Sequence, residues 1–248
     1  ENLPRKYLGM SQLGHSCSRY LWYYFRWAFK DSYNVRIQRI FRRGHLAEAD
    51  VIEDLESIGI EVNSESVSLT AGHGHIGGHN DGTCINVPEA PKTKHVLEIK
   101  CLKNSKFNEM KKKKVKEANF TYYIQCQLYM HFMELKRTLF VVRNADTMHY
   151  YTERIKYNKD EAKEYLDRGV SVVMSEDPPI KMFDKTWYEC KWCPAREVCH
   201  FNGKVEKTCR TCVYADIHVK GEWKCAKHGH TLSEQQQKDA CDDYSAII

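Results

Sequence analysis

Asp81, Glu98 and Lys100 are the residues of this sequence best suited to metal chemistry. Side chains alternate between the two faces of a β-strand, so Glu98 and Lys100 point the same way if residues 94–102 form a strand. Carboxylate oxygens are the ligands that Mg²⁺ and Mn²⁺ prefer, and a lysine beside them can offset developing negative charge. An ion pair on an exposed sheet face would equally explain Glu98 and Lys100 taken alone.

The segment around Glu98 has the apolar, β-rich composition of a strand buried in a central sheet. Burying a carboxylate and an ammonium group is costly unless they are paired or bound to a metal. Glycines at positions 72, 74, 77, 78 and 82 would allow tight turns and a close approach of the backbone near Asp81. The sequence therefore predicts a buried, charged pocket at this strand.

Hydrophobic periodicity predicts an alternation of helices and strands that is typical of an α/β fold. The predicted helices span residues 11–30, 36–58, 119–135 and 158–174, and the predicted strands span 61–69, 74–86, 94–102, 138–144 and 147–157. The helix at 36–58 carries a predicted inward stripe of Phe41, His45, Glu48, Ile52 and Leu55. Gln125 and Tyr129 share a face of the helix at 119–135. His45, Gln125 and Tyr129 could also be ordinary core residues with one polar contact each.

The chain has 248 residues and a net charge of +5, enough for one sizeable core and a small appended module. Lysine is concentrated between residues 92 and 116, including Lys111, Lys112, Lys113 and Lys114, and three arginines fall roughly on one helical face, at Arg36, Arg39 and Arg43. Such residues can form a solvated surface or contact phosphates. There is no apolar stretch of membrane-spanning length and no secretory signal, so we expect no membrane association and a cytoplasmic location.

Seven of the eleven cysteines lie in the last quarter of the sequence, at metal-ligand spacings. The group Cys209-x2-Cys212-x12-Cys225-x15-Cys241 predicts a structural Zn²⁺ site, in which His228 or His230 could replace one cysteine. A second group, Cys190-x2-Cys193-x5-Cys199, lacks a fourth thiolate, and Cys17 is the only cysteine of the N-terminal segment. A zinc site of Cys190, Cys193, Cys199 and His200 is the alternative. Cys84, Cys101 and Cys126 are predicted to be small buried residues.

Taken in order, Gly44-His45, Asp81, Glu98-x-Lys100 and Gln125-x-x-x-Tyr129 resemble the motifs of the PD-(D/E)XK nuclease superfamily, most closely its RecB-like branch. That branch includes the CRISPR-associated adaptation nucleases and many phage exonucleases, and the resemblance covers residues 11–200. It implies a restriction-endonuclease-like core with a central mixed sheet flanked by helices. It also implies a [4Fe-4S] cluster held by Cys17, Cys190, Cys193 and Cys199. We therefore expect a nuclease domain over residues 1–203 and a zinc module over residues 204–248.

The resemblance implies a metal-dependent DNA exonuclease of phage recombination, repair or degradation, acting on single strands or duplex ends in the host cytoplasm. Asp81, Glu98, the Ile99 carbonyl and His45, with Glu48 beside it, would hold Mg²⁺ or Mn²⁺. Lys100 would orient or deprotonate the attacking water, and Gln125 and Tyr129 would position the DNA or Lys100. A recombination or annealing protein and a second copy of the chain are candidate partners. The alternatives are a CRISPR-adaptation-type nuclease, a non-catalytic nucleic-acid-binding protein on the same scaffold and, least favoured, an iron-sulfur electron carrier.

Overall fold

The computed structural model describes residues 5–30 and 34–248. Its strands are β1 Leu8–Gly9, β2 Glu61–Asn63, β3 Ser68–Ala71, β4 Ile76–His79, β5 Gly82–Ile85, β6 His95–Leu102, β7 Arg137–Asn144, β8 Tyr150–Lys156, β9 Ala215–Ile217, β10 Trp223–Cys225 and β11 His230–Thr231. Its helices are α1 Ser18–Phe25, α2 Val35–Ser57, α3 Asn104–Ala118, α4 Phe120–Phe132, α5 Lys159–Met174, α6 Tyr188–Lys191, α7 Arg196–His200 and α8 Glu234–Lys238.

The chain divides into two compact units. The first comprises Glu1–Ser32, Thr70–Gly77 and Asp167–Ile248, and the second comprises Tyr33–Leu69 and Gly78–Leu166. The boundary expected between residues 203 and 204 falls inside the first unit, and the first four residues of the expected nuclease domain lie outside the described residues.

A five-stranded sheet of order β2-β5-β6-β7-β8 forms the centre of the second unit. β6 and β7 run parallel, with Glu98 opposite Phe140 and Lys100 opposite Val142, and every other neighbouring pair is antiparallel. The predicted α/β fold with a central mixed sheet is thus confirmed. The first five residues of β6 are buried whichever face they point to, which explains its nearly continuous apolar sequence.

Helix α2 packs on this sheet through Ala47, Val51 and Leu55, which recur every four residues and are buried. The predicted inward stripe was wrong at its N-terminal end, because Phe41 and His45 are exposed. Between residues 34 and 46 only Ile37 and Gly44 are even half-buried, so the first three turns of α2 have no core behind them.

The predicted N-terminal helix at 11–30 was too long, since only Ser18–Phe25 is α-helical. Cys17 caps its start, where the sulfur accepts a hydrogen bond from the Tyr20 amide at 3.4 Å. The helix ends before Trp27, whose φ of 55° lies in the left-handed region. Aromatic composition alone gave no indication of either end, because both are set by single-residue backbone geometry.

A buried arginine of the first unit, Arg210, connects the C-terminal residues to the N-terminal segment and is 1% exposed. Its guanidinium donates to the Phe25 carbonyl at 3.0 Å, the Lys6 carbonyl at 2.8 Å and the Gln237 side chain at 2.9 Å. It also lies 3.8 Å from the ring centroid of Trp27. Burial lowers the pKa of Arg210 to about 9. Carbonyl dipoles and aromatic faces thus take the role that an acidic partner usually has.

The C-terminal segment contributes a small antiparallel sheet of order β11-β10-β9. Trp223, the first residue of β10, is fully buried. Across residues 5–30 and 34–248, no helix combines the length and apolar character that crossing a membrane requires.

Replacing Arg210 should destabilise the first unit, because Arg210→Ala leaves two carbonyls and one amide without their donor and opens a cavity. We expect the free energy of unfolding to fall by about 3–5 kcal/mol, measured by urea denaturation. Arg39→Ala, at an exposed arginine of α2, is the control and should change it by less than about 0.5 kcal/mol. An unchanged midpoint for Arg210→Ala would contradict the fastening role.

Candidate metal-dependent nuclease site

Strand β6 and helix α4 together bury the carboxylate of Glu98, which is 1% exposed. Its Oε1 accepts a hydrogen bond from the Gln125 side-chain amide at 2.8 Å and another from the Lys100 ammonium. The same Gln125 amide reaches the Tyr129 hydroxyl at 3.1 Å, and that hydroxyl donates to the His79 carbonyl at 2.8 Å. The predicted faces of β6 and α4 therefore meet, and Gln125 and Tyr129 hold the carboxylate in place.

Asp81 enters the same site from the turn between β4 and β5. One of its carboxylate oxygens accepts a hydrogen bond from the Ile99 amide at 2.8 Å, which fixes it against β6. The following residue, Gly82, has a φ of 136°, and a Cβ there would lie 2.4 Å from the Asn63 carbonyl oxygen. Only glycine allows this close passage. Asn80 braces the turn by accepting from the Val67 amide and donating to the Gly82 carbonyl.

The second carboxylate oxygen of Glu98, Oε2, has no hydrogen-bond partner among the described residues although it is fully buried. Burial raises the pKa of Glu98 to about 7, with the charges of Asp81 and Glu48 adding to the shift and Lys100 opposing it. Burial acts to lower the pKa of Lys100, but the negative charges of Glu98 and Asp81 outweigh it and raise that pKa above its ordinary value. The site therefore holds a charged lysine beside a carboxylate that lacks part of its coordination.

An open pocket of about 360 Å³ is lined by His45, Glu48, His79 and Asp81, whereas the buried Glu98 does not line it. His45 Nδ1 lies 3.5 Å from Glu48 Oε2, so the two predicted residues of α2 are together at the pocket wall. Ser64 and Ser66 also line it and were not anticipated, because they sit in an irregular loop without any spacing pattern. The donor set is mainly carboxylate oxygen, one atom of it buried and unpartnered, and it fits a hard divalent cation.

The four cysteines expected to hold an iron-sulfur cluster lie near one another in the first unit. The pKa of Cys193 is raised to about 11, chiefly by burial and to a smaller extent by the neighbouring Cys17, Cys190 and Cys199. Ser16, adjacent to Cys17, donates to the Glu189 carboxylate at 3.0 Å, which draws the two segments together. Four cysteines close enough for three of them to affect Cys193 fit a shared metal centre, in which the bound metal would stabilise the thiolates.

The second cysteine group also converges, around a cavity of about 20 Å³ lined by Cys209, Cys212, Cys225, Cys241 and His228. His228 Nε2 lies 3.8 Å from Cys241 Sγ. Asp243, which the sequence analysis did not single out, joins His228 and Cys241 in a group of ligand atoms within 4.8 Å of one another. No other three ligand atoms in residues 5–30 and 34–248 are grouped this closely. Thiolate and imidazole ligands around so small a space fit Zn²⁺.

The remaining predicted residues occupy the surface or the core. Arg36, Arg39 and Arg43 of α2 and Lys111, Lys112, Lys113 and Lys114 of α3 are exposed. Cys84 and Cys126 are buried, as expected for small core residues, whereas Cys101 is only half-buried.

Residues 26–136 match the family model described as the YqaJ-like viral recombinase domain. An alkaline exonuclease from Laribacter hongkongensis is similar in structure, with 16% identity, a TM-score of 0.50, and coverage of 68% of this chain and 87% of that one. The structure of that exonuclease in complex with dAMP aligns at 18% identity, with coverage of 68% of this chain and 86% of that one and a TM-score of 0.48. A phage-related exonuclease from Haemophilus somnus 129PT is 16% identical, with coverage of 67% of this chain and 91% of that one and a TM-score of 0.47. No curated protein matches in sequence.

The raised pKa of Glu98 predicts that the free energy of unfolding of the metal-free protein depends on pH. The unfolded chain ionises this carboxyl near pH 4.5 but the folded chain only near pH 7, so the free energy of unfolding falls as the pH rises between these values. We expect Glu98→Gln in EDTA to be more stable than the parent at pH 8, on the order of 1–3 kcal/mol, and unchanged at pH 4.

Urea denaturation at the two pH values measures this difference. Glu53→Gln, at an exposed glutamate of α2, is the control and should have little effect at either pH. A lower free energy of unfolding for Glu98→Gln than for the parent at pH 8 would contradict the claim that the buried, ionised carboxylate destabilises the metal-free protein.

Proposed function

We propose that the chain is a phage-type DNA exonuclease of the PD-(D/E)XK nuclease superfamily, which hydrolyses phosphodiester bonds with Mg²⁺ or Mn²⁺. The match of residues 26–136 to the YqaJ-like viral recombinase domain supports this proposal. The observation that carries the proposal is the buried Glu98 carboxylate, which keeps one oxygen unpartnered beside Lys100 and near the negative charge of Asp81. A structural ion pair would have no use for that oxygen, whereas a metal ligand requires it.

Asp81, Glu98 and the Ile99 carbonyl would hold the divalent cation, with His45 as a further ligand and Glu48 beside it. When bound, the cation supplies Lewis-acid polarisation of the phosphate and lowers the pKa of a bound water. The requirement that Glu98 be ionised couples its deprotonation to metal binding.

We assign Lys100 the role of offsetting negative charge on the phosphate, and not the role of taking a proton from water. Its pKa in the metal-free protein is raised by Glu98 and Asp81, which favours the protonated form. Its ammonium can donate to the phosphate oxygens as negative charge develops on them. Gln125 and Tyr129 act through Glu98, because their hydrogen bonds fix the carboxylate that Lys100 contacts, and they are positioning residues.

DNA would be held through its phosphates by exposed cations in the second unit. The exposed cations of α2 and α3 would make such contacts: Arg36, Arg39, Arg43 and Lys111–Lys114. Of these, Arg43 also donates to the Ala145 carbonyl and Lys113 also pairs with Glu109 at 3.1 Å. Backbone contacts of this kind give sequence-tolerant binding that weakens with salt.

The two cysteine groups would be structural centres. Cys17, Cys190, Cys193 and Cys199 would bind a [4Fe-4S] cluster that ties the N-terminal segment to the chain far beyond it. Cys209, Cys212, Cys225 and Cys241 would bind Zn²⁺, with His228 close enough to replace Cys241.

Removing the charged groups of the site should abolish cleavage without unfolding the protein. Asp81→Ala, Glu98→Ala and Lys100→Ala should each slow Mg²⁺-dependent digestion of end-labelled DNA by about 100-fold or more. Lys103→Ala, at an exposed lysine just beyond β6, is the matched control and should retain the parent rate. Full turnover by Lys100→Ala would overturn the assignment. DNA binding by the parent without cleavage in any divalent metal would favour a non-catalytic nucleic-acid-binding protein.

The cluster assignment predicts that Cys17→Ser lowers the iron content of anaerobically purified protein and its melting temperature, while the zinc content is unchanged. Elemental analysis and the visible absorption of the cluster measure this. Cys101→Ser, a half-buried cysteine of β6, should change neither metal. Loss of zinc in place of iron from Cys190→Ser would favour the alternative site with His200.

A further inference from the structure

Residues 180–201, here called the aromatic segment, expose more apolar surface than a folded protein normally leaves in one stretch. Ile180 is 84% exposed, Trp192 is 87% exposed and Tyr188 is 62% exposed. Met182, Trp187 and Phe201 are exposed as well. Single exposed apolar residues need no explanation, but six in 22 consecutive residues indicate a binding surface.

The rings of this segment are arranged for stacking. Phe183 and Trp187 are parallel to within 10°, with centroids 5.5 Å apart, and Tyr188 lies 5.0 Å from Trp187. Trp192 follows directly after α6 and is the most exposed of the six apolar residues. Rings held side by side by their neighbours have already lost much of their rotational freedom, so stacking a further planar group on them costs little entropy.

Cations alternate with the rings along the segment. Lys181 and Lys191 are exposed and form no ion pair within residues 5–30 and 34–248, and Lys185 and Arg196 lie 5.9 Å and 4.7 Å from the ring centroid of Phe201. The acidic residues are engaged locally: Asp184 accepts from the Thr186 amide, and Glu189 accepts from Ser16 and Tyr188. Exposed rings interleaved with unpaired ammonium groups are what single-stranded nucleic acid requires, since bases stack and phosphates pair.

We propose that the aromatic segment binds single-stranded DNA, with bases stacking on Trp192, Trp187 and Tyr188 and phosphates pairing with Lys181 and Lys191. The proposal rests on the proposed function, because digestion of one strand of a duplex leaves the other strand unpaired. A protein partner would also use exposed tryptophan and tyrosine, but the unpaired lysines between the rings favour a polyanion.

The test is binding of the chain, purified anaerobically, to a labelled oligothymidine by fluorescence anisotropy in buffer without added divalent cation, where Mg²⁺-dependent cleavage does not occur and structural zinc is retained. We expect Trp192→Ala to weaken binding about tenfold at unchanged iron and zinc content, and Trp192→Phe to restore most of the affinity. The duplex of the same length should be bound nearly equally by parent and Trp192→Ala. Ile58→Ala, at an exposed apolar residue of the second unit, is the control.

A second variant keeps the test decisive if Trp192→Ala loses iron. Lys181→Gln changes none of the cysteines and should reduce the slope of log affinity against log salt concentration by roughly one. Parent affinity for oligothymidine in Trp192→Ala or an unchanged salt slope in Lys181→Gln would overturn the proposal. Self-association that Trp192→Ala abolishes, with DNA affinity unaltered, would also overturn it and indicate a protein interface. Failure of the proposed function is distinguishable, because it would show as absent cleavage by the parent in Mg²⁺.

Discussion

The charged contact between Glu98 and Lys100 inside the central sheet is the constraint on which the arrangement of the second unit depends. A buried carboxylate that has one oxygen without a partner among the described residues is unfavourable in a folded core, yet three residues hold it there. Lys100 and Gln125 donate to its other oxygen, and Tyr129 accepts a hydrogen bond from Gln125. Asp81, whose negative charge opposes ionisation of Glu98, is held on the same strand by the Ile99 amide. The fold thus maintains a negatively charged cavity at a cost in stability, which divalent-metal binding would recover.

The first unit builds its core from three separate segments of the chain. Arg210 and Arg26 are both buried, and Arg26 donates to the Arg210 carbonyl at 3.2 Å. Through these hydrogen bonds the two arginines connect the C-terminal residues to the N-terminal segment.

The sequence predicted the central features of the second unit because they rest on strict local periodicity. Alternation along β6 placed Glu98 beside Lys100, and helical spacing placed Gln125 beside Tyr129. The exposed start of α2 was not predictable, because the burial of Phe41 and His45 depends on where the sheet ends and not on their spacing. Nor was the role of Arg210, since hydrogen bonds to the carbonyls of Phe25 and Lys6 leave no pattern in either segment. The pairing of Asp243 with His228 and Cys241 joins turns of the C-terminal segment that no spacing rule connects.

The most direct test of the central claim is a crystal structure of the protein soaked with Mn²⁺, with anomalous scattering recorded to locate the metal. The account predicts a manganese peak bonded to a carboxylate oxygen of Asp81 and to Oε2 of Glu98, the atom that lacks a partner in the metal-free protein. Manganese found only at exposed acidic residues, with Glu98 still paired to Lys100 and its second oxygen unligated, would contradict it.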